Sequence, residues 1–383
     1  MSLRGRAAVV GVGVTPFRRR SGESELALGL EAIRLAAADA GVTLAEIDGL
    51  VSSTAQQNEV VEVARALGLR DVSFFAAVDY GGGGCCALVG HAAAAVAAGL
   101  ARCVIAWRAR CRSPEARPWA ATGARVEGEQ QFSAPYGLVR PVDQVAMVTR
   151  RHMHRYGTTS AHLAAVAIAC RSHAARNPAA LMRTPLTLAE HQASRFVSEP
   201  LRLLDCCLEN DAGAALVVVP AERAADVRQR PVYVRAAAQG TGFLPGRMTD
   251  YVRPEPLESS ALAVARTLFR AGDCAPTDVD TIQVYDSFTP FVLLALEAYG
   301  FCRPGESGPF AAEGHLQWPD GRLPSNTSGG SLSEGYIQGM NLVAEAVRQV
   351  RGTSTCQVPD AALALVAGAT TVPTSALLLG RDP

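Results

Sequence analysis

The chain has 383 residues, 49% of them hydrophobic and 19% charged, a composition typical of a compact globular protein with a large apolar core. Its 36 basic and 36 acidic residues give a formal net charge of zero, so it lacks the basic field by which proteins bind nucleic acid or anionic lipid. No lysine is present, which excludes catalysis through a lysine Schiff base.

The ten cysteines form two adjacent pairs, Cys85-Cys86 and Cys206-Cys207, and otherwise lie scattered without CxxC spacing. The seven histidines are dispersed, so neither a disulfide framework nor a metal site is expected. The N-terminus runs directly into a strand-like segment, without the pattern of a signal peptide. The longest Ala-rich run, 87–101, is too weakly apolar to span a bilayer. We therefore expect a cytoplasmic protein with no membrane span.

Short apolar strands alternate with Ala- and Leu-rich helices in the first part of the chain, a rhythm that favours an α/β fold. Residues 110–145 are rich in Pro, Gly and Arg and lack a clear period, which predicts a long excursion over a substrate site. The predicted strands are Ala7–Val12, Gly49–Ser52, Ser73–Ala77, Cys103–Trp107 and Ala214–Val219. The predicted helices are Glu25–Ala40, Gly84–Ala98 and a helical stretch over 143–176.

A polar stretch at 220–231 separates two similar halves, which we place at 1–225 and 226–383. Gly-rich turns at Gly81–Gly84 and Gly329–Gly330 each precede a long helix, which indicates a duplicated α/β unit. The predicted strands of the second half are Val232–Ala237, Thr281–Tyr285, Ala362–Ala367 and Ser375–Leu379. Its predicted helices are Ser260–Ala271, Pro290–Tyr299 and 336–350, with a loop at 323–335.

The loop Asn326–Tyr336 has the layout of a thiolase active-site loop, Asn-x-x-Gly-Gly, a helix start and Gly-His, but with Tyr336 in place of the histidine. Together with three further segments it resembles the lipid-transfer-protein branch of the thiolase superfamily. The resemblance covers the whole chain in order and implies a thiolase-like duplicated fold with five αβαβα layers. The further segments are Val10–Phe17; His154–Thr159 with Asn177-Pro178, Leu203–Cys206 and Asp211; and Tyr285–Phe288.

The chain departs from the family at the positions that carry thiolase chemistry. The nucleophilic cysteine of that family stands at the start of a buried helix, where the helix dipole favours the thiolate. Counting along the chain places this position at Gly82, so that Cys85 and Cys86 fall inside the helix as packed thiols. The turn that carries the second thiolase cysteine corresponds to Val366–Pro373, which contains no cysteine.

The remaining groups suit a reaction that needs no nucleophile. A β-hydroxyacyl-CoA fragments by retro-aldol cleavage once a base removes the hydroxyl proton and an acid protonates the enolate. We predict Tyr285 as the base, Tyr336 as the proton donor and Asn326 as the residue that orients a tyrosine or donates to an oxyanion. The residues predicted to bind the thioester or its oxyanion are Gly82, Gly83, Ser287, Gly329, Gly330 and Gly368.

The combination resembles the steroid side-chain-cleaving aldolases of this branch, which lack the catalytic cysteines. The resemblance implies a CoA thioester substrate, of a steroid with a tertiary hydroxyl, and release of propionyl-CoA or another short acyl-CoA together with a ketone. It also implies a homodimer and a partner with an OB-fold and zinc-ribbon (domain of unknown function 35), fused to or associated with a MaoC-like hydratase. It implies no covalently bound cofactor and no metal in this chain.

Two alternatives remain open at this level. One is an acetyl-CoA acetyltransferase or thiolase that uses Cys85 or Cys86. The other is a non-catalytic subunit that binds lipid or acyl-CoA. The acyl chain is not readable from the sequence, although residues 110–145 and Gly240–Glu258 are expected to shape its pocket.

Overall fold

A computed structural model of the chain describes residues 3–111, 126, 128–242, 255, 257–370 and 373–383. Its strands are, in chain order, β1 Ala7–Val14, β2 Gly49–Ser53, β3 Phe74–Val78, β4 Val104–Arg110, β5 Phe196–Ser198, β6 Leu201–Arg202, β7 Ala212–Pro220, β8 Val232–Gly240, β9 Thr281–Val284, β10 Leu363–Ala367 and β11 Thr374–Gly380. Its α-helices are α1 Glu25–Ala40, α2 Val60–Leu67, α3 Cys85–Ala97, α4 Pro141–Tyr156, α5 Ser160–Ala174, α6 Leu188–Ala193, α7 Ser260–Gly272, α8 Thr289–Ala298, α9 Ser307–Ala312, α10 Gly330–Ser333 and α11 Met340–Arg351.

Nine of these strands form one mixed sheet in the order β3-β2-β4-β7-β1-β8-β11-β10-β9. The pairing pattern repeats on the two sides of the β1–β8 contact. On one side β1 is antiparallel to β7, β7 is antiparallel to β4, and β4 is parallel to β2. On the other side β8, β11, β10 and β9 repeat these relations in the same order. The two halves therefore share one strand arrangement.

Helices cover both faces of each half of the sheet. Alternate residues of a strand point to opposite faces, and on β1 Ala8 and Val10 pack with α1 while Ala7 and Val9 belong to the cluster that includes α3 and α11. In the second half, Gly90 of α3 approaches Ala237, whereas Gly272 of α7 approaches the neighbouring Ala236 from the other face. The layers therefore run α1, first half-sheet, α3 with α11, second half-sheet, α7. The predicted five-layer α/β architecture is confirmed.

Most predicted helices and strands of the regular core are confirmed, with ends that shift by one to three residues. Helix α1 has the predicted bounds, because Ser24 caps its start and Gly41, in the left-handed conformation, ends it. Helices α2, α6 and α9 and the β5–β6 hairpin were not predicted. The predicted boundary at residue 225 lies in the 3₁₀ segment Ala221–Asp226 between β7 and β8, and we retain it as a proposal.

Two predictions near the site are wrong. The expected loop 323–335 contains the short helix α10, and the long helix begins at Met340 instead of residue 336. Gln338 and Gly339 have positive φ angles of 48° and 93°, which a right-handed helix does not allow. Tyr336 therefore lies in a turn between two helices.

The two segments expected to shape the acyl pocket are only partly described. Residues 112–125 and 127 of the excursion, and 243–254 and 256 of the second segment, lie outside the described residues. The described part of the excursion contains the 3₁₀ turns Gly128–Phe132 and Ala134–Tyr136 and the start of α4.

Candidate active site

Two buried tyrosines from different loops meet through their hydroxyl groups. Tyr285 directly follows β9, and Tyr336 lies in the turn between α10 and α11. Their hydroxyl oxygens are 2.8 Å apart, within hydrogen-bond distance. Tyr285 is 6% exposed and Tyr336 is 5% exposed, so water has little access to either phenol. The structure thus brings together the two tyrosines that the sequence singled out.

Gly82 lies directly beneath the ring of Tyr285. A Cβ atom added to Gly82 would lie 2.0 Å from Cζ of Tyr285 and 2.4 Å from its hydroxyl oxygen. Because real Cβ contacts essentially never fall below 3.0 Å, no side chain can stand at residue 82 while Tyr285 keeps this position. The phenol of Tyr285 thus fills the space above the position at which the sequence count placed the thiolase nucleophile.

Burial changes the chemistry expected of Tyr285. Removal from water, together with the nearby Tyr336 hydroxyl, raises the pKa of Tyr285 well above its usual value near 10. Tyr285 is therefore held as a neutral phenol that can donate its proton in the hydrogen bond to Tyr336. This environment argues against the prediction that Tyr285 is the base, because a base must lose that proton first.

Asn326 holds the backbone immediately before Tyr285. Its side-chain oxygen accepts the N–H of Val284 at 2.7 Å, and its side-chain nitrogen donates to the Val284 carbonyl at 2.9 Å. Asn326 itself has a φ of 51°, in the left-handed region that asparagine tolerates better than most residues. Asn326 therefore orients Tyr285 through the chain, and this geometry does not support its predicted donation to an oxyanion.

Asp286 joins the Tyr285 loop to the loop that carries Tyr336. Its carboxylate accepts the N–H groups of Ser331 at 2.7 Å and Leu332 at 3.2 Å, at the start of α10. Complete burial raises the pKa of Asp286, and these hydrogen bonds oppose the rise. A Cβ on Gly330 would lie 2.1 Å from the Asp286 carboxylate, so Gly330 permits this contact. Gly330 thus has a structural role, and its predicted role in substrate binding stays a prediction.

Three other predicted glycines have backbone N–H groups that already donate within the protein. Gly83 donates to Tyr80, Gly329 to Asn326 and Gly368 to Ser375, each at 2.8 Å. A substrate oxyanion would have to compete with these hydrogen bonds, and we retain the predicted binding role of the three glycines only as a proposal.

The remaining members of the predicted binding set are Gly82 and Ser287. Among the residues that the structure describes, the N–H of Gly82 has no backbone carbonyl partner. Ser287 is buried, and its carbonyl accepts the N–H of Cys207 at 2.9 Å. The N–H of Gly82 is thus available as an oxyanion donor, and we retain its predicted role as a proposal.

The cysteines of α3 are packed. Cys85 is the first residue of α3, nearer the helix start than the sequence count predicted, yet it is 1% exposed. A Cβ on Gly339 would lie 2.6 Å from the Cys85 sulfur, so the thiol packs directly against the backbone at Gly339. The Cys86 thiol lies 3.5 Å from the Val366 carbonyl, and burial raises its pKa well above the ordinary value. Neither environment favours an attacking thiolate.

Behind the Tyr336 loop, two buried glutamates flank one cation. Glu334 accepts from the Ser328 hydroxyl at 2.6 Å, and Glu345 accepts from the Thr327 hydroxyl at 2.7 Å. Arg348 lies 3.7 Å from each carboxylate. Complete burial of Glu334, only partly offset by Arg348, raises its pKa to about 7.

This carboxyl group predicts a pH-dependent stability. Because the folded protein binds the Glu334 proton more tightly than the unfolded chain, its contribution is complete below pH 4.5 and is lost as the pH rises to about 7. That interval corresponds to a loss on the order of 3 kcal/mol. Denaturant unfolding between pH 4.5 and 8 should show this fall in wild type and not in Glu334→Gln. Glu46→Gln serves as the contrast, because hydrogen bonds from Thr43 lower the Glu46 pKa. Equal pH slopes for wild type and Glu334→Gln would contradict the assignment.

No metal-binding group was found in the described part of the chain, where no three His, Cys, Asp or Glu side chains are placed to hold an ion. Among the helices of the described residues, none has the length and apolarity needed to cross a membrane.

Sequence reasoning missed the side chains that position the tyrosines. Asn210 hydrogen-bonds to Tyr336 across 126 residues of sequence. Arg108 donates hydrogen bonds to Gln338, two residues after Tyr336, at 2.7 Å and to Gln56 at 3.0 Å. Neither contact follows a sequence period or motif, so no signal in a single sequence could have found it.

The layered fold and the phenol pair define a class: a thiolase-like protein with acid–base groups in the place expected for an acyl-accepting thiol. Comparisons with known proteins agree. The sequence profile described as "Thiolase C-terminal domain-like" matches residues 247–380. The chain is 47% identical to the 17-hydroxy-3-oxo-4-pregnene-20-carboxyl-CoA lyase of Mycobacterium tuberculosis, covering 99% of this chain and 100% of the relative.

Two further similarities extend over the full length. The chain is 45% identical to the steroid side-chain-cleaving aldolase of Thermomonospora curvata, over 99% of each chain. The solved structure described as "Ltp2-ChsH2(DUF35) aldolase" superposes with a TM-score of 0.93 and 45% identity, covering 100% of this chain and 99% of that one. The chain belongs to the lipid-transfer-protein branch of the thiolase superfamily and, within it, to the aldolases, which are carbon–carbon lyases.

Proposed function

We propose that this protein cleaves the Cα–Cβ bond of a β-hydroxyacyl-CoA through the Tyr285–Tyr336 pair. The observation that carries the proposal is the contact of the two phenol hydroxyls above Gly82, where an acyl-accepting cysteine would collide with Tyr285. The site offers two phenol hydroxyls, and the two thiols of α3, Cys85 and Cys86, are buried, a combination that suits a retro-aldol reaction.

The reaction needs one proton removed and one proton added. A base takes the proton of the β-hydroxyl, and the alkoxide collapses to a ketone as the Cα–Cβ bond breaks. The bonding electron pair passes to the thioester as an enolate. Protonation of Cα then gives the shortened acyl-CoA, so the protons balance without an added oxidant or reductant.

We assign Tyr336 as the base and Tyr285 as the acid, the reverse of the assignment made from the sequence. Burial raises the pKa of Tyr285, which favours its neutral phenol, and its hydroxyl lies within hydrogen-bond distance of the Tyr336 hydroxyl. After Tyr336 accepts the substrate proton and Tyr285 donates to Cα, the 2.8 Å hydrogen bond returns the proton from Tyr336 to Tyr285. The N–H of Gly82 is the donor we propose for the enolate oxygen.

The substrate class follows from the relatives. The Mycobacterium tuberculosis relative is named as a lyase of a 17-hydroxy-3-oxo-4-pregnene-20-carboxyl-CoA. A tertiary hydroxyl β to the thioester cannot be oxidised to a ketone, so its carbon–carbon bond is open to retro-aldol cleavage and closed to thiolysis. We propose a steroid side-chain CoA ester as substrate, with a 17-ketosteroid and propionyl-CoA as products.

We further propose a heteromeric assembly built on a homodimer. The similar solved structure contains a DUF35 component, which supports an OB-fold and zinc-ribbon partner here, with or without a MaoC-like hydratase. Strand β3 forms one edge of the sheet, and Phe75 on it is 66% exposed, which suits pairing with a second copy. All ten cysteines are free, which supports a reducing, cytoplasmic location.

The test is a cleavage assay on the purified chain with a co-expressed DUF35 partner. A 17-hydroxy steroid CoA ester is supplied, and the ketone and propionyl-CoA are quantified by mass spectrometry. Stoichiometric formation of both products is expected, and Cys85→Ser and Cys86→Ser should retain it. Substrate binding without turnover would favour the non-catalytic subunit. Loss of activity in either cysteine variant would favour acyl transfer and overturn the proposal.

A further inference from the structure

A short segment of the first half crosses both tyrosine-bearing loops. Between the 3₁₀ turn Leu203–Asp205 and β7, residues 206–210 run across the loops after β9 and around α10. The backbone of Cys206 forms an isolated antiparallel β-bridge with that of Phe288, and the Cys207 N–H donates to the Ser287 carbonyl at 2.9 Å. We call residues 206–210 the cross-strap. Its first two residues fix the loop that carries Tyr285.

The other end of the cross-strap holds the Tyr336 loop. The Leu208 N–H donates to the Ser331 carbonyl at 3.0 Å. The side chain of Asn210, which is completely buried, bonds to both backbone groups of Tyr336. Its oxygen accepts the Tyr336 N–H at 2.7 Å, and its nitrogen donates to the Tyr336 carbonyl at 3.3 Å. One amide thus fixes the peptide groups on both sides of the tyrosine Cα.

The same device acts on the other tyrosine. Asn326 holds both backbone groups of Val284, the residue before Tyr285, with equivalent hydrogen bonds. Asn326 thus holds the backbone of the residue before Tyr285, and Asn210 holds the backbone of Tyr336 itself. The two amides together therefore restrict the distance between the phenol oxygens. Tyr336 needs such a clamp especially, because it lies in a turn between helices and has no helix or strand to fix its backbone.

We propose that Asn210 is a positioning residue for the aldol cleavage, which sets the reach of Tyr336 toward Tyr285 and the substrate hydroxyl. The inference rests on the proposed function, since it requires Tyr336 to transfer the proton. Asn210 touches no reacting atom. Its effect on the rate passes through the main chain of Tyr336, where a displacement of about 1 Å can lower a rate about 10²-fold.

The experiment measures kcat, KM and thermal stability of Asn210→Ala in the complete complex with the partner. We expect kcat to fall about 10²-fold with KM changed less than about threefold, because substrate binding does not depend on the tyrosine's reach. Asn210→Asp keeps an oxygen for the Tyr336 N–H and can donate to the Tyr336 carbonyl only as the neutral acid, so its kcat should exceed that of the alanine variant at low pH and fall as the buried carboxyl ionises. It also serves as the test if the alanine variant does not fold.

A double-mutant cycle separates positioning from general support of the fold. In a Tyr336→Phe background, Asn210→Ala should change the residual rate by less than about twofold, because the group it positions is gone. Thr149→Val, which removes a buried hydroxyl hydrogen bond to Val145 elsewhere, should lower stability and leave kcat unchanged.

The outcomes distinguish the two levels of the proposal. Wild-type kcat in Asn210→Ala, or fully multiplicative losses in the double variant, would overturn the positioning role and leave the proposed function intact. Full activity of Tyr336→Phe would overturn the proposed function itself, and with it any role for Asn210 through that tyrosine.

Discussion

Replacing Tyr336 by phenylalanine is expected to lower kcat for carbon–carbon cleavage by about 10³-fold, the scale of one general acid–base group. The substitution removes one oxygen atom and preserves the ring that packs beside Tyr285, so the CoA-ester affinity should change less than about threefold. Steady-state cleavage and calorimetric binding of a non-cleavable substrate analogue measure the two effects separately. The Tyr336→Phe variant should therefore bind the CoA ester without cleaving it.

Tyr299 provides a matched control within the chain. It is 1% exposed, and in the described structure its hydroxyl has no hydrogen-bond partner. Tyr299→Phe removes the same atom from an equally buried ring outside the site and should leave kcat unchanged. If both phenylalanine variants lost activity equally, the loss in Tyr336→Phe would reflect packing and not proton transfer.

Gly82→Ala is the second change expected to have a large effect. The new methyl group would lie 2.0 Å from Cζ of Tyr285, so the ring must move and the 2.8 Å contact with Tyr336 must open. We expect kcat to fall about 10²-fold or more from the misplaced acid. Overpacking should also lower the free energy of unfolding by about 1–3 kcal/mol.

The control for Gly82→Ala is a glycine that would collide outside the site. Gly272→Ala places its methyl group 2.6 Å from Cδ1 of Leu378, in the α7 layer, and should lower stability while leaving kcat unchanged. Replacing Tyr285 by alanine should cost less stability in the Gly82→Ala protein than in wild type, because the collision is removed together with the ring, and it should not restore activity. Wild-type cleavage in Gly82→Ala would show that the tyrosine position above Gly82 is not required.

The sequence predicted the regular core well because hydrophobic period and capping residues act locally. Helix α1 matched to the residue, since Ser24 and Gly41 specify its ends by their own hydrogen bonds and backbone conformation. The turn around Tyr336 was missed because the positive φ of Gln338 depends on packing and not on residue type. Helical periodicity alone therefore extended α11 four residues too far.

The chemical classes were also decided by residue type alone. The absence of lysine excluded a Schiff base, and the replacement of the thiolase histidine by Tyr336 and the cysteine-free turn at 366–373 indicated a change of reaction. Such conclusions hold without coordinates, because no fold can supply a functional group that the chain does not contain.

Only the tertiary structure supports a choice among the available groups and between their proposed roles as acid and base. It brought Tyr285 within 2.8 Å of Tyr336 across 51 residues of sequence and buried it, which turned the predicted base into the proposed acid. It also showed that the N–H groups of three predicted binding residues, Gly83, Gly329 and Gly368, already donate hydrogen bonds within the protein. The reason is physical: pKa values and free hydrogen-bond donors are properties of an environment, and distant parts of the chain build that environment.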